Sequence, residues 1–328
     1  MKQILLFDTA ISTSNLGDEI IYADVKKGIK DILDNAMVFR MGTHVANYSV
    51  FQLLSKRDIK VMRLCDWADY KFICGTNLLV DNLRKINPQW MLNPINAQLY
   101  KDAILIGVGK VSDYEMPNKY TQFIYKKTLS HNFKHSVRDE ATKKILEDMG
   151  FQAINTGCPT LWGFTEDKCK QIPTKKADKV VFSVSGYYST KDPVADKKMI
   201  SCLRKNYREL YVWIQTVVDE KYLKELGEAE GVKYIYSLNK YEELLNEGGI
   251  DYVGTRLHGG VYALQHNCRS LIVSIDQRAE GFYESNNIPI IRRSEIEDLD
   301  KIINSEIVAD IRVNQAAIKE FLSQFDTK

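Results

Sequence analysis

What most limits the fold of this chain is a rhythm. Short apolar runs alternate with longer stretches whose apolar residues recur at helical spacing. In the second half the runs are 180–184, 210–215, 232–236, 250–253 and 271–275, with helical patterns near 196–205, 220–229, 240–246 and 261–266 between them. Apolar runs this short are buried strands, and strands separated by helices of roughly 10–15 residues run parallel. The first half repeats the pattern with runs at 4–7, 36–39, 70–74, 103–108, 133–137 and 151–155. Its first helix is marked by Ile21, Val25, Ile29, Ile32 and Leu33. The class is therefore α/β with parallel sheets.

At 328 residues the chain exceeds one ordinary core and suits two domains of roughly 150 residues each. The polar, lysine-rich stretch 166–179, with Pro173, is the natural linker. We expect an N-terminal domain over 1–168 and a C-terminal domain over 169–328. The latter ends in a helix over 309–325 that is a candidate to cross back to the first lobe. Two such domains, with their richest polar loops at strand carboxyl ends, imply a ligand cleft between lobes.

Composition excludes several function classes. Lys plus Arg is 45 against 43 for Asp plus Glu, so the strong basic excess of a general nucleic-acid binder is missing. Six cysteines lie scattered without a C-x-x-C pair, which suits a reducing, cytoplasmic setting and no metal site. The apolar start is interrupted by Asp8, and no stretch approaches the roughly 18 apolar residues of a membrane span. His131 and His135 stand four apart in a segment that reads as loop then strand, which argues against a metal pair.

Gly254-Thr255-Arg256-Leu257-His258-Gly259-Gly260 links one of the apolar runs to a helical segment. A strand, a glycine-flanked turn and a helix start leave backbone N–H groups free for an anion. Into that turn the sequence puts a permanent cation, Arg256, and a group that titrates near neutral pH, His258. Two readings are open from spacing alone. The pair serves an anionic ligand, or Arg256 meets a local carboxylate and His258 is a satisfied core histidine. The loop Ser12 to Glu19 is likewise a ligand loop or a plain helix cap. The glycines after the runs at 70–74 and 103–108 complete neither a dinucleotide fingerprint nor a P-loop. Arg138 precedes two acids at a helix start, where a cation opposes the helix dipole unless it faces an anion.

Five landmarks stand in order: Asn15-x-Gly17-Asp18-Glu19, Ser136-Val137-Arg138-Asp139, Thr156-Gly157-Cys158-Pro159-Thr160-Leu161, Thr255-Arg256-Leu257-His258-Gly259 and Ile275-Asp276-Gln277-Arg278. Over nearly its whole length the chain resembles the polysaccharide pyruvyl transferase family. The resemblance implies a GT-B-like fold of two Rossmann-like lobes. It also implies transfer of the enolpyruvyl group of phosphoenolpyruvate onto two sugar hydroxyls as a cyclic ketal, with release of phosphate. The implied partners are phosphoenolpyruvate and a sugar or lipid-linked glycan, with no cofactor and no metal. The implied place is cytoplasmic, at the inner membrane face if association is peripheral.

Under this resemblance His258 is the general acid, and Arg256 and Arg138 hold the donor's anionic groups, Arg138 facing the cleft from the first lobe. Arg278 stands where the family often has lysine and is expected to contact phosphate, with Gly259 also on the donor side. Asp18 positions an acceptor hydroxyl. Asn15, Gly17, Gly75 and Asn77 supply acceptor-side loops. The chain departs from the family pattern at Cys74-Gly75-Thr76-Asn77-Leu78, where a glycine run is usual, and at Gly157-Cys158-Pro159, where G-D-P is. The alternatives are a nucleotide-sugar glycosyltransferase on the same scaffold and a non-catalytic glycan-binding relative.

Overall fold

The computed structural model describes residues 1–45, 47, 54–85, 89–110 and 115–325. The chain forms two compact units, Met1–Thr13 with Asp18–Trp162 and Asn314–Lys328, and Ser14–Gly17 with Gly163–Val313. The division differs from the expected 1–168 and 169–328 in three places. The first unit's main segment ends at Trp162, Ser14–Gly17 belongs to the second unit, and Asn314–Lys328 belongs to the first, outside the expected domain bounds but as expected of a final helix that crosses back.

In the first unit β1 (Lys2–Asp8) leads into α1 (Leu16–Gly28) and the single turn α2 (Lys30–Leu33). Then come β2 (Ala36–Gly42), α3 (Lys56–Asp66), β3 (Tyr70–Cys74), β4 (Asn77–Leu79), β5 (Ile104–Ile106) and β6 (Gly109–Lys110). The unit continues through α4 (Lys119–Thr128), β7 (His135–Val137), α5 (Glu140–Asp148) and β8 (Ala153–Asn155). The main sheet has the parallel order β2-β1-β3-β5, so its order reverses between β1 and β3.

Strand β7 lies against β5 largely through side chains rather than a backbone ladder. The Leu105 N–H donates to His135 Nδ1 at 3.1 Å and the Gly107 N–H to Ser136 Oγ at 2.9 Å. With Nδ1 accepting, His135 carries its proton on Nε2 and donates it to the Ser130 carbonyl at 2.9 Å. Burial pushes this histidine down to about 4, because a charged imidazolium there would lose its hydration. It is a strand-pairing histidine.

The second unit contains α6 (Glu166–Lys170), β9 (Lys179–Ser183), α7 (Pro193–Asn206), β10 (Glu209–Trp213), α8 (Val217–Leu226) and β11 (Lys233–Ile235). It goes on with α9 (Leu238–Asn246), β12 (Ile250–Gly254), α10 (Leu257–Gln265), β13 (Ser270–Ser274), α11 (Gln277–Asn286), β14 (Ile290–Arg292) and α12 (Leu299–Ile303). The expected linker is thus partly structured: Thr165 caps α6, and Cys169 is buried. The sheet order is β11-β10-β9-β12-β13-β14, every pairing parallel. This is the doubly wound order, reversing between β9 and β12. Both central strands are buried along nearly their whole length and are mainly apolar, and the one acid within them, Asp251 of β12, is met by Arg269 Nη1 at 2.7 Å and the Tyr207 hydroxyl at 2.8 Å.

The closing helix α13 spans Gln315–Leu322 rather than 309–325. The Asn314 side chain accepts the Ala317 N–H and starts it there, so the apolar Ile311 and Val313 precede it outside any helix. Among the described residues no helix is long and apolar enough to cross a membrane.

Candidate active site

In a doubly wound sheet, ligands sit outside the carboxyl ends of the strands at the point where strand order reverses. In the second unit that point is flanked by the ends of β9 and β12, so the turn Gly254 to Gly260 falls on it. Gly254 is held tightly. A Cβ there would stand 2.5 Å from the Ser183 nitrogen and 2.9 Å from its carbonyl oxygen, so the two strand ends touch backbone to backbone. Tyr252 fixes the turn beyond Gly254. Its hydroxyl donates to the Arg256 carbonyl at 2.7 Å and shares a 2.6 Å hydrogen bond with Ser183 Oγ, which accepts the Arg256 N–H at 3.0 Å. Burial raises the Tyr252 phenol well above its ordinary range, so it stays a neutral donor.

Arg256 is the N-cap residue of α10, and its side chain is buried. Its Nε donates to Asp219 Oδ2 at 3.0 Å, its Nη2 to Asp219 Oδ1, and Nη2 also reaches Thr216 Oγ1 at 3.1 Å. The guanidinium carbon lies 4.6 Å from the centre of the Tyr187 ring, a cation–π stack. Arg256 therefore does meet a local carboxylate. Among the described residues its Nη1 makes no hydrogen bond, which leaves one edge of the fork for a ligand.

Asp219, which sequence reasoning misses, is the junction of this site. It is fully buried on the first turn of α8. Besides Arg256 it accepts the Gly186 N–H at 2.9 Å and the Thr216 N–H at 3.0 Å. One carboxylate so ties together the loops after β9, β10 and β12. The signal is present as Thr216-x-x-Asp219 at a helix start, the spacing of a capping box.

His258 lies in the first turn of α10, buried, its ring edge-on to Phe282 of α11 at 6.1 Å between centres. Gly259 was expected to contact the donor, and its surroundings give it a packing role. A Cβ there would stand 3.1 Å from Trp213 Cδ1 and 3.2 Å from the Tyr252 hydroxyl, and its carbonyl accepts the Tyr241 hydroxyl at 2.8 Å. Arg278 sits on α11 with its guanidinium on Asp276, Nε to Oδ2 at 2.9 Å, and its side chain is 41% exposed. Its charge is partly answered by that neighbour.

Asn15 and Gly17, expected with the first domain, belong to the second unit. The Gln215 Nε2 donates to Asn15 Oδ1 at 2.7 Å, and the Leu16 N–H donates to the Gln215 carbonyl at 3.1 Å. Gln215 Oε1 in turn accepts the Trp213 indole N–H at 3.4 Å.

In the first unit, Asp18 is buried where the sheet order reverses. It accepts the hydroxyls of Thr13 at 2.7 Å and Thr76 at 3.2 Å, the latter from the loop after β3. Gly75 has φ +71 and backs directly onto Ile21, so a side chain is excluded there on both counts. Asn77 pairs with Gly109 between β4 and β6, and among the described residues its buried Oδ1 has no hydrogen-bond partner. A Cβ on Gly109 would collide with the Arg138 guanidinium and stand 2.8 Å from that Asn77 oxygen. Arg138, Asn77 and Gly109 thus form one buried group. Arg138 lies outside the helix: Asp139 is the N-cap of α5, and the Arg138 Nε is 3.6 Å from its carboxylate. The Asp139 carboxylate is thus an anion beside this cation at the helix start.

With the geometry described, comparison with known proteins is direct. The family model for polysaccharide pyruvyl transferase matches residues 15–277. No curated protein matches the chain. Among solved structures, the Staphylococcus aureus MnaA–UDP complex superposes with TM-score 0.50 at 10% identity, covering 100% of this chain and 98% of that one. A Listeria monocytogenes protein described as a putative UDP-N-acetylglucosamine 2-epimerase gives TM-score 0.50 at 12% identity, with 100% and 98% coverage. At such identity these structures bear on the fold alone, and that fold is of the GT-B-like kind, two Rossmann-like lobes.

Proposed function

Because the chain belongs to the polysaccharide pyruvyl transferase family, we propose that it carries the enolpyruvyl group of phosphoenolpyruvate to a sugar. Two hydroxyls of a polysaccharide or glycan precursor receive it as a pyruvate ketal, and inorganic phosphate leaves. The observation that carries the reading is the placement of Arg256 and His258, two residues apart, at the start of a helix at the reversal point of its sheet. An anion there meets backbone N–H groups, the helix dipole and the remaining guanidinium edge together.

The chemistry divides accordingly. His258 gives a proton to the terminal carbon of the enol, turning CH2 into CH3 and leaving positive character on the adjacent carbon. A first sugar hydroxyl adds to that carbon and loses its proton. A second hydroxyl then displaces phosphate and closes the ketal; its proton leaves with the phosphate, while the first hydroxyl's proton balances the one His258 gave. A general acid of this kind contributes about 10²–10⁴-fold in rate. Arg256 holds an anionic group of the donor, and Arg138 is the corresponding cation of the first unit.

The test is phosphate release from phosphoenolpyruvate against a panel of nucleotide-linked and lipid-linked sugars. Release that depends on a sugar, and falls at least about a hundredfold in His258→Ala with the thermal transition unchanged, is the expected result. Sugar-dependent release that survives the substitution removes His258 from its role. A thermal shift with UDP but none with phosphoenolpyruvate redirects the reading to a nucleotide-sugar glycosyltransferase.

A further inference from the structure

Two loops of the second unit converge on Asp219 and carry exposed apolar side chains beside Arg256. One comes after β9: Tyr187 is 38% exposed and Tyr188 is 98% exposed. The other opens α8, where Val217 is 77% and Val218 39% exposed. They are neighbours in space, because Gly186 sits directly on the Val218 carbonyl with no room for a side chain between them.

Exposed apolar residues scattered singly need no explanation, but four on two touching loops at a ligand crevice do. The loop that carries the tyrosines is pinned. The Thr190 carbonyl accepts Arg293 Nη1 at 2.7 Å, Thr190 Oγ1 shares a 2.7 Å hydrogen bond with Ser185 Oγ, and Asp192 caps α7. Tyr188 is held out into solvent by an anchored turn.

We propose that Tyr187 and Tyr188, on the loop that touches the start of α8, form the platform on which a ring of the acceptor sugar lies. The inference rests on the reading of the site as a transferase acting on a sugar. A sugar ring has one face of C–H groups that packs on an aromatic ring while its hydroxyls stay free at the edge. The acceptor hydroxyl must come within bonding distance of a donor held at Arg256. The ring bearing it must therefore lie within a sugar's width of that guanidinium. Tyr187 meets the requirement directly, since Arg256 covers one of its faces at 4.6 Å. Tyr188, next in the chain, extends the surface outward for a second ring of the glycan. Membrane lipid is the other occupant such a patch could take. The contiguity with Arg256 favours the sugar, because a lipid-buried Tyr187 would seal the donor's turn.

The experiment measures binding of methyl glycosides of common hexoses and N-acetylhexosamines by saturation-transfer NMR, with no phosphoenolpyruvate present. Transfer confined to the C–H protons of one ring face is expected for at least one of them. Tyr188→Ala should weaken that glycoside about tenfold while Tyr188→Phe keeps it, since the ring and not the hydroxyl carries the contact. The thermal shift by phosphoenolpyruvate should be equal in all three proteins. Equal glycoside affinity in Tyr188→Ala and the parent overturns the platform. So does failure of every glycoside to bind the parent, or loss in Tyr188→Ala only of binding to phosphatidylglycerol vesicles. Absence of the phosphoenolpyruvate shift in the parent overturns the transferase reading instead, and the two failures are told apart.

Discussion

Removing the Asp219 carboxylate should unsettle the second unit more than a surface acid would. In Asp219→Ala two backbone N–H groups, of Gly186 and Thr216, lose their acceptor, and Arg256 keeps a buried charge with no partner. An unsatisfied buried donor costs about 1–3 kcal/mol, and breaking one side of a buried ion pair about 3–5 kcal/mol. These overlap, since water entering for one relieves the other, so we expect about 4 kcal/mol in total. Against a typical stability of about 5–15 kcal/mol this is a large share, and it lowers Tm by roughly 10 °C. Urea unfolding of parent and variant, read as a shift of midpoint at constant slope, gives the number. Lys224→Ala is the control: its ion pair with Glu220 is exposed and is worth about 0–1 kcal/mol. The double variant Asp219→Leu with Arg256→Met should lose less than Asp219→Ala alone, because no charge is stranded. A loss below about 1 kcal/mol in Asp219→Ala would refute the reasoning.

Other outcomes can be derived from the same structure. His135 titrates near 6.5 when unfolded but is pushed to about 4 when folded, so the unfolded chain binds the extra proton between those values. Its contribution is intact above pH 6.5 and is lost as pH falls towards 4, by about 3 kcal/mol in all, and His135→Gln should flatten the fall in urea midpoint between about pH 7 and 4.5. Glycine-to-alanine changes should have opposite signs in two helices. Gly260→Ala places a Cβ 2.5 Å from Ile272 Cγ1 and 2.8 Å from Tyr252 Cε1 and should destabilise by about 1–3 kcal/mol, whereas Gly281→Ala in α11 meets nothing within 4 Å and should stabilise by about 0.5–1 kcal/mol. Gly109→Ala should displace the buried Arg138 guanidinium and lower the Tm of the free protein, and the expected result is a weaker thermal shift by phosphoenolpyruvate measured from that lower Tm.

How far the sequence can be read depends on how fully each element is buried. Strands β9, β12 and β13 are covered on both faces, and their apolar runs mark them with their direction. Helix α4 gives little signal because its apolar stripe is broken: Phe123 is half exposed while the polar Thr121 and Thr128 are buried. Helix α11 mixes Gly281 with charged residues, and its clearest mark, the Asp276 cap, reads equally as part of a ligand motif. The overlong final helix comes from counting Ile311 and Val313, which lie outside any helix. Arg256 and His258 are visible because two chemically distinct groups share one short turn. Asp219 is not, since nothing local connects it with an arginine 37 residues later.

That same pairing sets what Arg256 can do. A free arginine carries about 2 kcal/mol of rotamer entropy that a ligand must overcome, and here Asp219, Thr216 and Tyr187 have already removed it. The pairing also answers most of the positive charge, so the turn does not attract anions from a distance as an unpaired arginine would. Arg256 therefore contributes geometry more than field: one N–H edge at a fixed angle beside the helix start that bears His258. Under the proposed function an anion is to be held there weakly but in one orientation, and orientation is what a proton transfer to a single carbon requires. Substituting Arg256 by Lys keeps a charge but loses the fork that Asp219 grips, so the ammonium can no longer be fixed by two parallel bonds.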